Sequence, residues 1–188
     1  MLTTRRRGGH RRRIDWSAVP VHPLLAAAYP VVFLFATNAA EQVTLAPLWG
    51  PLAIAVGGAA AALAIAALVV RDWHRGALLA TVLVIGFFGY GHAWNAAAGV
   101  LANQWPLIVA WALLILVGLF VAWQSSRWAR TAGRALNLVA AIALLLNSWS
   151  LAGNMVAVAS VLDPAEEKIV ELDPADPQDL PDVYYIIL

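Results

Sequence analysis

The side chains best suited to chemistry lie where two long apolar runs end. An amide and a carboxylate, Asn38 and Glu41, end the first run, and a phenol, an imidazole and a second amide, Tyr90, His92 and Asn95, end the third. If these runs form neighbouring helices, the five residues converge into a polar cluster that could bind a lipid head group or dock an outer domain. The alternative is that they cap helix ends at the wet membrane interface, where polar side chains cost little.

Other kinds of site find little support. The chain has no cysteine, which excludes thiolate nucleophiles and cysteine zinc sites. Its four histidines are scattered without metal-ligand spacing. No phosphate-binding loop, HExxH motif or nucleophile elbow occurs. We therefore assign no catalytic residue, metal ligand or cofactor within this chain, which alone is not predicted to be an enzyme.

The composition indicates what kind of elements position the polar cluster. Of 188 residues, 62% are hydrophobic and 12% charged, against about 25% charged in a soluble domain. Because a helix needs about 20 apolar residues to cross a bilayer, the chain is predicted to be an all-α membrane protein with a bundle of five transmembrane helices over residues 23–161. The predicted spans are 23–40, 48–70, 76–93, 105–123 and 135–161.

The arginines predict the orientation of this bundle. They lie in a basic leader, residues 1–22, and in the loops after the second and fourth spans, and basic loops stay cytoplasmic. The N-terminus is therefore predicted to be cytoplasmic and the C-terminus to lie outside. We interpret the leader as an orientation signal that contacts anionic lipid, and no nucleic-acid partner is expected.

Polar and small residues inside the spans predict how the helices associate. Asn137, Asn147 and Asn154 in the fifth span are interpreted as interhelical hydrogen-bonding groups. Gly57, Gly58 and the four alanines at 59–62 in the second span predict a small-residue surface for close helix approach. No lysine or arginine lies within a span, so an ion or proton path is weakly supported.

The composition changes after the fifth span. Residues 162–182 form an acidic, proline-rich segment that is predicted to be an outer linker. Residues 183–188 are β-branched, aromatic and aliphatic, the pattern of a buried strand in a parallel sheet. A single strand needs partner strands, so we expect it to open an α/β domain that continues beyond Leu188 as the bundle's own outer partner.

A resemblance makes this expectation more specific. Residues 180–188, Leu-Pro-Asp-Val-Tyr-Tyr-Ile-Ile-Leu, resemble the opening strand of the sulfatase and alkaline-phosphatase superfamily in membrane-anchored bacterial members. The runs 22–25, 29–30 and 90–92 and the residue Asn38 resemble the membrane portion of such proteins. The resemblance implies a bacterial inner or plasma membrane protein with a metal-dependent hydrolase or transferase domain outside the cytoplasm, acting on sulfate or phosphate esters. The family's metal-binding Asp would follow Leu188, so the divalent metal belongs to that outer domain.

Two alternatives remain open. The chain could be a small stand-alone membrane scaffold or transporter subunit whose tail pairs with another protein's sheet, which a stop codon after Leu188 would favour. It could also be a lipid-modifying enzyme in which His92 and Glu41 are catalytic. In that case, mutating either residue should abolish turnover by this chain alone.

Overall fold

The described part of the chain is helical throughout its regular elements. The computed structural model describes residues 19–161, apart from Val43 and Ala98 and the side chains of Ala40 and Val161. Its elements are α1 (His22–Thr37), a 3-10 turn (Ala39–Glu41), α2 (Ala46–Val70), α3 (Trp73–Ala97), α4 (Trp105–Trp123) and α5 (Ala129–Val161). The predicted linker at 162–182, the predicted strand at 183–188 and most of the leader lie outside the described residues.

Four of these helices, α2 to α5, are long and apolar enough to cross a membrane. The remaining helix, α1, has 16 residues, so it is about 24 Å long against a hydrocarbon core of about 30 Å. The prediction of one continuous helix over 23–40 is wrong at its end. Helix α1 stops at Thr37, and a 3-10 turn carries the chain on to Glu41.

The other predicted boundaries differ in a consistent direction. Helix α4 has the predicted limits, and α2 begins two residues before its predicted start. Helix α3 extends beyond its predicted range of 76–93 at both ends, and α5 begins before its predicted start at residue 135. The apolar run marks only the stretch suited to hydrocarbon. Backbone hydrogen bonding continues through the polar residues that flank it, so the helices are longer than their apolar runs.

Helices α1 and α5 are parallel and are joined by three asparagines of α5. The Nδ2 atoms of Asn137, Asn147 and Asn154 donate to backbone carbonyl oxygens of Val19 (2.7 Å), Tyr29 (3.3 Å) and Ala36 (2.9 Å), and each bond joins residues 118 positions apart. A constant separation requires the two segments to run in the same direction. The predicted role of these asparagines in helix association is confirmed.

Helix α3 lies at the centre of the bundle, where it contacts each of the other four helices. It approaches the backbone of α2 closely at Gly76, where an added Cβ atom would lie 2.6 Å from the Ala67 Cα atom.

The small-residue surface predicted for residues 57–62 of α2 is confirmed only in part. Ala59 is buried in a cluster with Ala27 of α1 and Val84 of α3, but Gly57 and Gly58 make no close approach. A Cβ atom on either glycine would meet nothing within 4 Å.

The described charges separate to opposite ends of the bundle. Side-chain contacts join the start of α1 to α3, and the start of α3 to the end of α4. These parts of the helices form one end of the bundle, here called the basic end. It carries one aspartate, Asp72, and the arginines Arg71, Arg75, Arg127, Arg130 and Arg134. The other described acidic residue, Glu41, lies at the opposite end, here called the Glu41 end. Because α5 is parallel to α1, its C-terminal half also approaches the Glu41 end.

Candidate functional site

A groove at the Glu41 end brings part of the predicted polar cluster together. It has a volume of about 490 Å³ and is formed by α1, the 3-10 turn, α2 and α3. Asn38, Glu41 and His92 all lie on its lining. Much of the remaining lining is apolar and includes Phe33, Leu34, Pro51 and Phe88. This Glu41 groove therefore combines apolar walls with a few polar groups, which suits an amphiphilic ligand.

Asn38 is positioned by its role at the end of α1. Its Nδ2 donates to the Leu34 carbonyl oxygen at 2.7 Å, and its backbone N–H donates to the same oxygen at 3.3 Å. The last carbonyl groups of a helix have no donor in a following turn. These two bonds supply donors to the Leu34 carbonyl oxygen at the end of α1. The capping interpretation is confirmed for this residue, whose amide nitrogen closes α1.

Glu41 and His92 have a different environment from Asn38. The backbone N–H of Glu41 donates to the Asn38 carbonyl oxygen at 3.0 Å, which holds the 3-10 turn in place. The side chains of Glu41 and His92 are exposed. No group of three His, Asp or Glu side chains suited to a metal ion occurs within the described residues. The groove therefore offers a carboxylate and an imidazole to a ligand, without a metal-binding cluster in that part of the chain.

Tyr90 and Asn95 do not line the Glu41 groove. The Tyr90 ring packs edge-on against Trp111 of α4, with ring centroids 6.3 Å apart. Its hydroxyl is buried and has no hydrogen-bond partner among the described residues. Asn95 is exposed near the end of α3. The structure thus brings together three members of the predicted cluster, and Tyr90 instead packs at the interface between α3 and α4.

A buried polar pair was missed by the sequence reasoning. His22, at the start of α1, is 1% exposed, and its Nδ1 lies 2.6 Å from the Thr81 Oγ1 of α3. Its Nε2 is buried without a hydrogen-bond partner in the described part and faces Gly133 of α5. A histidine next to a proline at the start of an apolar run was the available signal. It could not identify Thr81, which is distant in sequence.

Comparisons of the chain with protein families, with curated proteins and with solved structures find no match. The inference of function therefore depends on the geometry described above and on the residues of the chain.

Proposed function

We propose that this chain is the membrane-embedded anchor of a sulfatase-like hydrolase or transferase whose catalytic domain follows α5 on the outer side of the membrane. The domain would act on sulfate or phosphate esters and would contain the divalent metal. In this proposal the helices supply attachment, orientation and a surface facing the domain, and they supply no catalytic residue.

The class of the proposed domain rests on the resemblance of residues 180–188 to the opening strand of the sulfatase and alkaline-phosphatase superfamily, and its position is supported by the parallel arrangement of α1 and α5. This arrangement directs the C-terminal end of α5 toward the end of the bundle that contains Glu41 and the Glu41 groove. A domain attached after α5 through the acidic, proline-rich segment 162–182 would emerge beside that groove. Proline-rich linkers are semi-rigid, so the domain would stay near the membrane surface.

The charge distribution supports the proposed side of the membrane. The five arginines of the described residues lie at the basic end, with one aspartate among them. Arginines in short loops stay in the cytoplasm, which directs the Glu41 end outward. Metal ions assist phosphoryl and sulfuryl transfer by stabilising charge on the transferred group, and a domain in the outer compartment would have to acquire its metal there.

The native protein provides a direct test of the attached domain. We expect the transcript to continue past Leu188 with an Asp-Gly pair and the intact mass to be much greater than 20.1 kDa. The purified native protein should hydrolyse aryl sulfate or phosphate esters and lose this activity when a chelator removes metal. A stop codon directly after Leu188 and a mass near 20.1 kDa would contradict the proposal and favour a stand-alone scaffold.

The role of the Glu41 groove can be tested separately in the native protein. His92→Ala should weaken crosslinking between the membrane bundle and the outer domain, or lower turnover of a lipid-linked ester, because His92 lines the groove. Gln104→Ala is a matched control, since Gln104 is also polar and exposed but lies at the N-cap position of α4, outside the groove. Unchanged turnover and crosslinking in His92→Ala would mean that the outer domain does not use the imidazole of this groove.

A further inference from the structure

A second groove lies near the basic end of the bundle, on its outer surface. It has a volume of about 850 Å³ and is lined by residues of α2, α3 and α4. Val69, Leu83 and Phe120 contribute to its walls, and Trp123 lies at the end of α4. The walls are apolar almost throughout, so this Trp123 groove suits a hydrocarbon chain better than water.

The basic end of the Trp123 groove carries an arginine with unused hydrogen-bonding capacity. Arg75 precedes the wall residues Leu79 and Leu83 by one and two turns on the same face of α3. Its guanidinium donates to the Trp123 carbonyl oxygen and lies over the Trp123 ring at 5.8 Å. Its Nε is buried without a partner among the described residues, so a ligand would reach the guanidinium from the exposed part of this half-buried side chain. A planar guanidinium with unused donors is well suited to a phosphate.

A second arginine lies close to the same end of the groove. Arg71 is exposed and follows the last residue of α2, two positions after the wall residue Val69. The nearby acid, Asp72, lies directly before α3. Its carboxylate accepts a hydrogen bond from the Arg75 backbone N–H at 2.8 Å and so caps the start of that helix. The groove therefore ends in a region where positive charge exceeds negative charge.

We propose that the Trp123 groove binds one anionic phospholipid, with an acyl chain along the apolar walls and the phosphate at Arg75 and Arg71. A molecule with an apolar chain and an anionic head is complementary to apolar walls that end at arginines. A second copy of this chain is a poorer occupant, because side-by-side bundles would bring two basic ends together. This site is at the opposite end of the bundle from the Glu41 groove and does not depend on the proposed outer domain.

Native mass spectrometry of the 188-residue chain in mild detergent tests this proposal. Purified protein is offered an equimolar mixture of phosphatidylglycerol and phosphatidylcholine, and the retained lipid is counted. We expect one phosphatidylglycerol to be retained in preference to phosphatidylcholine. Arg75→Gln should lower its occupancy at least about fivefold, the effect of losing one arginine contact with an anionic head group.

Two further variants keep the test decisive if Arg75→Gln fails to fold. Arg71→Gln removes a charge without removing the contact to Trp123, and Leu83→Trp fills the groove from a side chain that is 43% exposed. Both should lower the retention of phosphatidylglycerol. The matched controls are Arg130→Gln, an exposed arginine of α5, and Leu145→Trp, an exposed leucine of α5, and both should retain the lipid.

Three results would overturn the proposal. Equal retention of the two lipids would indicate ordinary annular lipid. An equal loss in Arg71→Gln and Arg130→Gln would indicate diffuse attraction to the basic end instead of a site. A bound second copy of the chain that excludes lipid would assign the groove to self-association.

Discussion

The side chain of Asn137 makes three hydrogen bonds to the backbone at the start of α1. Its Oδ1 accepts from the N–H groups of Val21 and His22 at 3.0 and 2.8 Å, and its Nδ2 donates to Val19. The first N–H groups of a helix have no partner within the helix. Val21, at the N-cap position, provides no side-chain cap, so an asparagine on α5 provides it instead.

Asn137→Ala should therefore lower the free energy of unfolding by about 1–3 kcal/mol, because it removes a cap and leaves backbone groups unpaired. Asn147→Ala is the matched control. It removes one bond, of 3.3 Å, and we expect a cost of about 0.6 kcal/mol, the average for hydrogen bonds between membrane helices. Unfolding of the purified protein in a detergent titration measures both. An equal or larger cost for Asn147→Ala would contradict the capping role.

Thr81 is the hydrogen-bonding partner of the buried His22 ring in the described structure. Thr81→Val keeps the shape of the side chain but removes the hydroxyl, so a buried imidazole nitrogen loses its partner. We expect a cost of about 1–3 kcal/mol in the free energy of unfolding. Thr81→Ser keeps the hydroxyl and should retain most of the stability. If the serine variant were as unstable as the valine variant, methyl packing rather than the hydrogen bond would explain the effect of position 81.

At the scale of the elements, composition predicted where the helices lie better than where they end or what they contact. The early end of α1 depends on Asn38, whose side chain turns back to Leu34. Asparagine also occurs inside α5 without ending it, so residue type alone could not predict the boundary. The pairing of α1 with α5 was equally hidden. It depends on bonds from asparagine side chains to backbone carbonyl groups. Every residue has such a group, so the sequence does not show which one accepts the bond.

Glycine positions also do not show from the sequence alone where two helices approach closely. Gly76 illustrates this and leads to a prediction about the contact between α2 and α3. Gly76→Ala places a Cβ atom 2.6 Å from the backbone of Ala67, so the helices must separate. We expect a loss of about 1–3 kcal/mol in the free energy of unfolding, as for other overpacked sites. Gly57→Ala is the control in α2, because its Cβ atom would enter open space. Unfolding in the same detergent titration should show a clear loss for Gly76→Ala and almost none for Gly57→Ala.

At the scale of the whole molecule, the candidate site could be predicted only in part. Asn38, Glu41 and His92 were foreseeable because polar groups at the ends of apolar runs must lie near the interface. Tyr90 also lies near the end of the third apolar run, but its side chain packs against Trp111 of α4. Which face of α3 meets α1 and which meets α4 depends on packing throughout the bundle, and the polar pattern contains no information about that packing.

The two ends of the bundle lead to a prediction about its orientation. The chain has no cysteine, so single cysteines can report which side of the membrane each loop faces. We expect Ala102→Cys, in the loop between α3 and α4, to react with a membrane-impermeant maleimide in right-side-out vesicles. Ser126→Cys, beside Arg127 between α4 and α5, should react only after permeabilisation, because loops that carry arginine stay in the cytoplasm.

Both of these positions are exposed in the structure, so protection from the reagent would reflect the membrane instead of burial in the protein. Thr44→Cys, between α1 and α2, is a second probe of the Glu41 end and should react like Ala102→Cys. The reverse labelling would direct the end of α5 into the cytoplasm. A domain attached there would no longer face the outer compartment, so that single result would contradict both the orientation and the proposed outer-face hydrolase or transferase.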